Sequence, residues 1–192
     1  MDWADGTTAI GVLRLDADDL AYWYEFGYSL GNLVDAVTHE IGHILGIGTK
    51  WAELDLLDNW NATVHGDAQY NGAGGVRGLQ LLGKRGLPRV ETLGGPATAG
   101  VHWRESTYGP ELMTPLLDFA GAPLSSMTGL SLMDLGYVLR NAYAFEHYVV
   151  PRAASRRLAN APAAFNMSAA GRFIADMTVS PRPVLLAIVQ TT

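Results

Sequence analysis

Cysteine is missing from all 192 residues. That excludes disulfides and thiolate ligands together, so any metal held here must sit on imidazoles and carboxylates. Long apolar runs are missing as well: none approaches the ~18 residues that a membrane-crossing helix needs, which excludes a transmembrane helix. Positive charge is scarce. Thirteen Lys and Arg stand against 19 Asp and Glu, a net charge of −6, which argues against a general nucleic-acid surface. The first residues, Met1-Asp2-Trp3-Ala4-Asp5, lack the basic and apolar regions of a secretion signal. The expectation is either a cytosolic chain or one whose targeting segment lies outside this sequence.

What is present suits a globular domain: 48% hydrophobic and 17% charged residues, enough for one real core. The charge is uneven. Residues 1–150 hold 8 Lys or Arg and 18 Asp or Glu, whereas residues 151–192 hold 5 Arg and one Asp. The sequence therefore predicts one domain over 1–150 and a basic tail of unreadable structure over 151–192, with Val184 to Val189 a candidate final strand. Arg152, Arg156 and Arg157 read as a solvated extension rather than a nucleic-acid or membrane patch.

Thr8 to Leu15 is short, apolar and partly β-branched, and predicts a strand. Asp16, Asp18 and Asp19 follow. They could hold calcium, but the Gly and distal Glu of a calcium loop are absent, so capping a short helix through Leu20 and Tyr24 is the favoured role. The clearest helix comes next. Leu30, Leu33, Val34, Val37, Ile41, Ile44 and Leu45 recur at three- and four-residue steps, an apolar stripe expected to face the core. Ser29 is the expected N-cap, and Gly46 with Gly48 the stop. Residues 49–101 contain ten glycines and little periodicity, and read as loops with short elements. Asp118 to Tyr137 is expected to end in a short helix with Leu130, Met133 and Leu135 facing inward and Gly136 as its stop.

On the long helix lies His39-Glu40-Ile41-Gly42-His43. Imidazoles at i and i+4 share one helix face and can bind one Zn²⁺, while the Glu after the first can take a proton from a water there and pass it to a leaving amine. At this composition random order yields H-E-x-x-H in roughly half a percent of chains, so two unconnected histidines are a poor explanation. A catalytic zinc needs a third protein ligand and an open position. The compact continuation H-x-x-G-x-x-H holds through Gly46 and fails at Thr49. His65, His102 and His147 remain, as do the carboxylates Glu53, Glu91, Glu105 and Glu111.

Two further segments, His102-Trp103-Arg104-Glu105 and Glu111-Leu112-Met113-Thr114-Pro115, resemble the second half of the active site of leishmanolysin-like metzincins. In that family a long insertion after the glycine precedes the third histidine, and an E-L-M-[AT]-P turn follows. The runs Gly46 to Trp51, Gly94 to Gly100 and Ser131 to Tyr137 are similar too, so the likeness spans roughly residues 9–145. It implies an α+β, zincin-like fold: an active-site helix against a small mixed sheet, here apparently truncated, with a loop-rich C-terminal part. It implies one catalytic zinc on His39, His43 and His102, Glu40 as general base, and Met113 beneath the metal. The implied activity is zinc-dependent endopeptidase action on a peptide or unfolded protein, in a secreted or cell-surface setting. Ile10 to Leu15 would be the sheet's edge strand, with Gly11, Val12 and Leu13 pairing to substrate. The absence of cysteine favours a bacterial-type relative. Only 38 residues precede the active-site helix, so either the chain is a fragment or another segment, or a second copy, completes the sheet. An inactive zinc-binding interaction module is the alternative.

Overall fold

The computed structural model describes residues 4, 6–16, 23, 25, 27–61, 66–118, 120–140, 145–152, 165–166, 176–177 and 185–191. The fold is α+β. Strand β1 spans Ile10–Asp16 and helix α1 spans Leu30–Ile44. The short pair β2 (Leu57–Asp58) and β3 (Gln69–Tyr70) leads into α2 (Ala73–Leu81). Then come α3 (Glu105–Tyr108), β4 (Leu116–Leu117) and α4 (Ser126–Asp134). The strands β5 (Phe165–Asn166), β6 (Asp176–Met177) and β7 (Leu185–Thr191) finish the chain.

Strand β1 is not an edge. It lies between β6 and β7 in the order β6-β1-β7. β7 runs parallel to it from Ile10↔Leu185 to Asp16↔Thr191, and β6 runs antiparallel against Gly11 and Val12. Gly11 and Val12 are therefore flanked on both sides, and Leu13 is fully buried and paired with Ile188. The expected substrate-pairing edge is corrected accordingly: the partner that completes the sheet is the chain's own tail. The backbone of β1 needs hydrogen-bond partners whichever segment supplies them, and the tail's apolar run from Leu185 supplies a seven-residue set. β5 likewise pairs with β4, so three strand pairings cross the expected boundary at residue 150.

Helix α1 begins where Ser29 caps it. Its hydroxyl accepts from Asn32 N at 3.2 Å while Asn32 Oδ1 accepts from Ser29 N at 3.0 Å, a reciprocal capping box. One face of α1 is then tied rung by rung to the chain around 112–122. Asn32 Nδ2 donates to Asp118 O (3.1 Å), Ala122 N donates to Asp35 Oδ2 (3.0 Å), and His39 meets Leu112 O (2.6 Å). The buried positions are Asn32, Ala36, His39, Glu40, Gly42 and Ile44. At 100° per residue most of this face is turned away from the apolar stripe, with Ile44 common to both. The stripe was expected to lie inward, yet Leu30 and Val34 are 68% and 57% exposed. The core reaches the polar side because its hydrogen bonds are satisfied there, while the stripe contributes buried Ile44 and Leu33, which packs against the core. The candidate calcium or capping residues Asp18, Asp19, Leu20 and Tyr24 lie outside the described residues, as does His65.

Residues 73–81 form the longest of the short elements expected in this glycine-rich stretch, a nine-residue helix. Added Cβ atoms at Gly74 and Gly78 would fall 2.2 and 2.3 Å from the backbone oxygens of Leu130 and Ser126. These glycines thus allow α2 to pack backbone-close on α4 rather than breaking the helix. On α4, Leu130 is buried and Leu135 beyond it is too, but Met133 is 53% exposed and does not face inward. A second anchor is the aromatic cluster of Trp51, Tyr70 and Trp103, all fully buried, with ring centroids 4.4 to 5.2 Å apart. Trp103 Nε1 donates to Thr128 Oγ1 at 2.7 Å, fixing the residue that follows His102.

Candidate metal centre

His39 and His43 stand one turn apart on the buried face of α1. The helix ends immediately after them, and the chain doubles back over their C-terminal side. Ile47 N donates to Gly42 O at 3.0 Å, and Thr49 Oγ1 donates to His43 O at 2.8 Å. Thr49, where a compact motif would place its third histidine, is exposed and serves as a C-terminal cap. Gly48, at φ +79°, lets this turn press against the segment that carries His102. A Cβ there would lie 1.9 Å from Val101 O.

His102 arrives from that segment. Its Nε2 is 3.2 Å from Nε2 of His39 and 3.0 Å from Nε2 of His43. One ligand atom from each of the three lies within 4.8 Å of the others, and among the described residues no other group of three or more His, Asp or Glu does so. This triad is a cluster that can hold a metal ion.

The outer ring nitrogens decide the tautomers. His39 Nδ1 lies 2.6 Å from Leu112 O, His43 Nδ1 2.9 Å from Ile47 O, and His102 Nδ1 3.1 Å from Thr98 O. A carbonyl oxygen only accepts, so each Nδ1 carries the proton and donates it. Burial makes the rings poor bases. It lowers His39 to about 3, aided by its neighbour His43 and opposed by the Leu112 hydrogen bond. It lowers His43 against the pull of the Ile47 carbonyl, and His102 well below the ordinary value with help from His43 and His39. The rings are thus neutral at neutral pH, and each inward Nε2 presents a lone pair. Three lone pairs at such separations repel one another with no proton between them, an arrangement that a cation relieves. Partners on the outer nitrogen are the usual way a protein orients histidine ligands.

Glu40 is 7% exposed beside His39 on the same buried side of the helix. Burial raises its carboxyl to about 8, and no hydrogen bond or cation opposes that rise. Met113 is fully buried, and its thioether lies against α1 at Gly42, between the two histidines. Its turn is held by Glu111. That carboxylate accepts from Met113 N (2.7 Å), Ser125 N (3.2 Å), Ser125 Oγ (2.6 Å) and Thr128 Oγ1.

The other candidate ligands are placed elsewhere. His147 and Glu53 are exposed. Glu91 accepts from the backbone of Thr92, Leu93 and Glu105. Glu105 opens α3, and Glu111 serves the Met113 turn. The groups that sequence reading did not find are the carbonyls of Leu112, Ile47 and Thr98. Backbone oxygens leave no residue-type signal.

Comparison with protein-family models, curated proteins and solved structures gives no match for this chain. The case for function therefore rests on the site.

Proposed function

We propose that the chain is a zinc-dependent endopeptidase of the leishmanolysin-like metzincin type. His39, His43 and His102 would hold the ion, and Glu40 is the general base. The observation that carries this reading is the convergence of three deprotonated Nε2 atoms on the helix face next to Glu40, a buried carboxyl group with no hydrogen-bond partner among the described residues, which a cation on the triad would help to ionise. Two imidazole nitrogens at ~2.0–2.1 Å from a tetrahedral ion stand ~3.3 Å apart. The separations of 3.2 and 3.0 Å need only a small outward adjustment to meet that value. Three neutral nitrogens with one position left open suit a catalytic rather than a structural zinc. When bound, zinc supplies Lewis acidity, polarising a carbonyl and acidifying a water.

The chain's own residues do the rest. The Leu112, Ile47 and Thr98 carbonyls keep the imidazoles in the right tautomer and orientation. Glu40 accepts the proton of the attacking water and returns it to the leaving amine, so the scissile C–N bond breaks to give an acid and an amine. Met113 and Gly42 shape the floor behind the ligands. Substrate does not pair with Gly11 and Val12, whose flanks are taken by β6 and β7.

The test is cleavage of a labelled unfolded protein by the purified chain with one equivalent of zinc. Glu40→Gln should lower the rate by about 10²-fold or more while one zinc stays bound. A fully active Glu40→Gln protein would sink the mechanism. The occupied flanks of β1 favour one rival, an inactive zinc-binding module; zinc bound at one equivalent with no turnover by the unaltered chain would establish it.

A further inference from the structure

Away from the histidine triad, a cavity of about 330 Å³ opens where three segments meet: the loop after α2, helix α3, and residues 150–152. Its walls carry Lys84, Arg85, Arg89 and Arg152, with the hydroxyl residues Ser106 and Thr107 between them, and no Asp or Glu lines it. Four of the chain's 13 Lys and Arg thus gather around one cavity in a protein of net charge −6. Buried Leu79, Tyr108 and Val150 form an apolar part of the lining.

These cations are not used up by structure. Asp67 binds Arg89 through Nη1 only, at 2.7 and 2.8 Å, and its remaining partner is Arg104 outside the cavity. Among the described residues, Lys84, Arg85 and Arg152 have no carboxylate partner. Complementing the negative C-terminal end of α2 accounts for Lys84 and Arg85. It does not account for Arg152, which comes from a distant part of the chain, nor for Arg89 turning to the same space. Like charges brought together at a surface repel, and the gathering is relieved when an anion enters.

We propose that this cavity binds a small ligand through a tetrahedral oxyanion, a phosphate or sulfate group. Guanidinium forks and hydroxyl donors match the several acceptor oxygens of such a group. The three cations without a carboxylate partner, Lys84, Arg85 and Arg152, exceed what a single carboxylate would balance, and Arg89 keeps its second amino group free of Asp67. The volume is at the lower end of the ~300–1,000 Å³ typical of small-molecule sites, leaving room for a group attached to the anion. The inference is independent of the peptidase reading.

Isothermal titration of the full chain with inorganic phosphate, sulfate and acetate at 150 mM NaCl tests it. We expect saturable 1:1 binding of phosphate or sulfate, stronger than acetate. Whichever of the two binds more tightly identifies the ester. Arg85→Ala and Arg152→Ala, both at exposed positions, should each weaken binding about tenfold, with unchanged thermal unfolding. Arg140→Ala removes an equal charge outside the cavity and should change nothing. Phosphate held at the histidine triad instead would be insensitive to Arg152→Ala. No saturable binding, preference for acetate, insensitivity to both cavity variants, or an equal loss in Arg140→Ala would each overturn the proposal.

Discussion

Gly42 and Met113 are complementary: the side chain that Gly42 lacks is the space that Met113 fills. A Cβ on Gly42 would lie 2.6 Å from Met113 Sδ and 3.0 Å from its Cε. The contact falls between His39 and His43 in the sequence, so the helix presents these two histidines on one side of a glycine whose vacancy seats the turn at 111–115. That relation makes a signed prediction. In an ordinary helix Gly→Ala is stabilising by ~1 kcal/mol. Here Gly42→Ala overpacks a buried thioether at a cost of about 1–3 kcal/mol, so the net effect in the native background should be destabilising. In a Met113→Ala background the vacancy is open and the same change should stabilise by about 1 kcal/mol. Urea unfolding of the four proteins checks this; Gly42→Ala with the same sign in both backgrounds would refute the coupling.

Much of the site could be read before the structure, because its chemistry is carried by residue types at helical spacing. His39, Glu40 and His43 follow from period and capping, with Ser29 and Gly46 at the ends. The residues alone leave His102 as one of three remaining histidines, and the resemblance singles it out, since 59 residues separate it from His43 in sequence and no local period links them. The misreadings have physical causes. The apolar stripe of α1 is a strong periodic signal, yet only part of it, with Ile44 and Leu33, packs inward, because Asn32, Asp35 and His39 draw the polar side to partners at Asp118, Ala122 and Leu112. Gly74 and Gly78 resemble punctuation in a sequence and act as a close-packing surface in α2. The central position of β1 depends on a tail whose partner strand lies more than 170 residues away in the register Ile10↔Leu185, a pairing that composition does not encode.

Gly48 should be the least replaceable residue near the candidate metal centre. Its φ of +79° already disfavours any side chain, and a Cβ would strike the Val101 carbonyl at 1.9 Å, a backbone atom that cannot rotate away. Gly48→Ala is expected to cost about 3 kcal/mol or more and to shift His102, one residue beyond Val101. Gly95, at the same φ of +79° but with nothing within 4 Å, is the control. Gly95→Ala should cost only the ~1 kcal/mol of backbone strain. Chelator competition should show weakened metal binding for Gly48→Ala and none for Gly95→Ala; equal effects would mean that the Val101 contact is unimportant.

Metal and protons should oppose each other at the triad. Burial lowers all three imidazoles, His39 to about 3, below the ~6.5 of an unfolded histidine. The unfolded chain then binds more protons below pH 6.5. The triad's share of stability is complete above that pH and is lost as the pH falls towards the folded values. Buried Glu40 and Glu105 act with the opposite sign over this range, so the triad's share is read as a difference: relative to His102→Ala, the metal-free protein should lose stability between pH 6.5 and 4. Excess Zn²⁺ at pH 7 should raise the melting temperature, by an amount that grows with its concentration, and a chelator should reverse it. A melting temperature indifferent to zinc would contradict the proposed zinc site.

Glu105 should move stability the other way. Burial raises its carboxyl to about 7, with Glu91 and Asp118 adding to the effect and hydrogen bonds from Thr114 and Leu116 resisting it, and its Oε2 is buried without a hydrogen-bond partner. Between about pH 4.5 and 7 the folded chain keeps this proton while the unfolded chain has released it. Its stabilising contribution is therefore full at low pH and is lost as the pH rises through the folded value. Glu105→Gln resembles the protonated form and cannot ionise. The other titrating groups cancel when the two proteins are compared, so the difference isolates this carboxyl. Relative to Glu105→Gln, the native protein should lose on the order of 2–3 kcal/mol between pH 5 and pH 8. Urea unfolding of both at the two pH values would measure it, and a difference that stays constant would show that Glu105 is already ionised in the folded chain at pH 5.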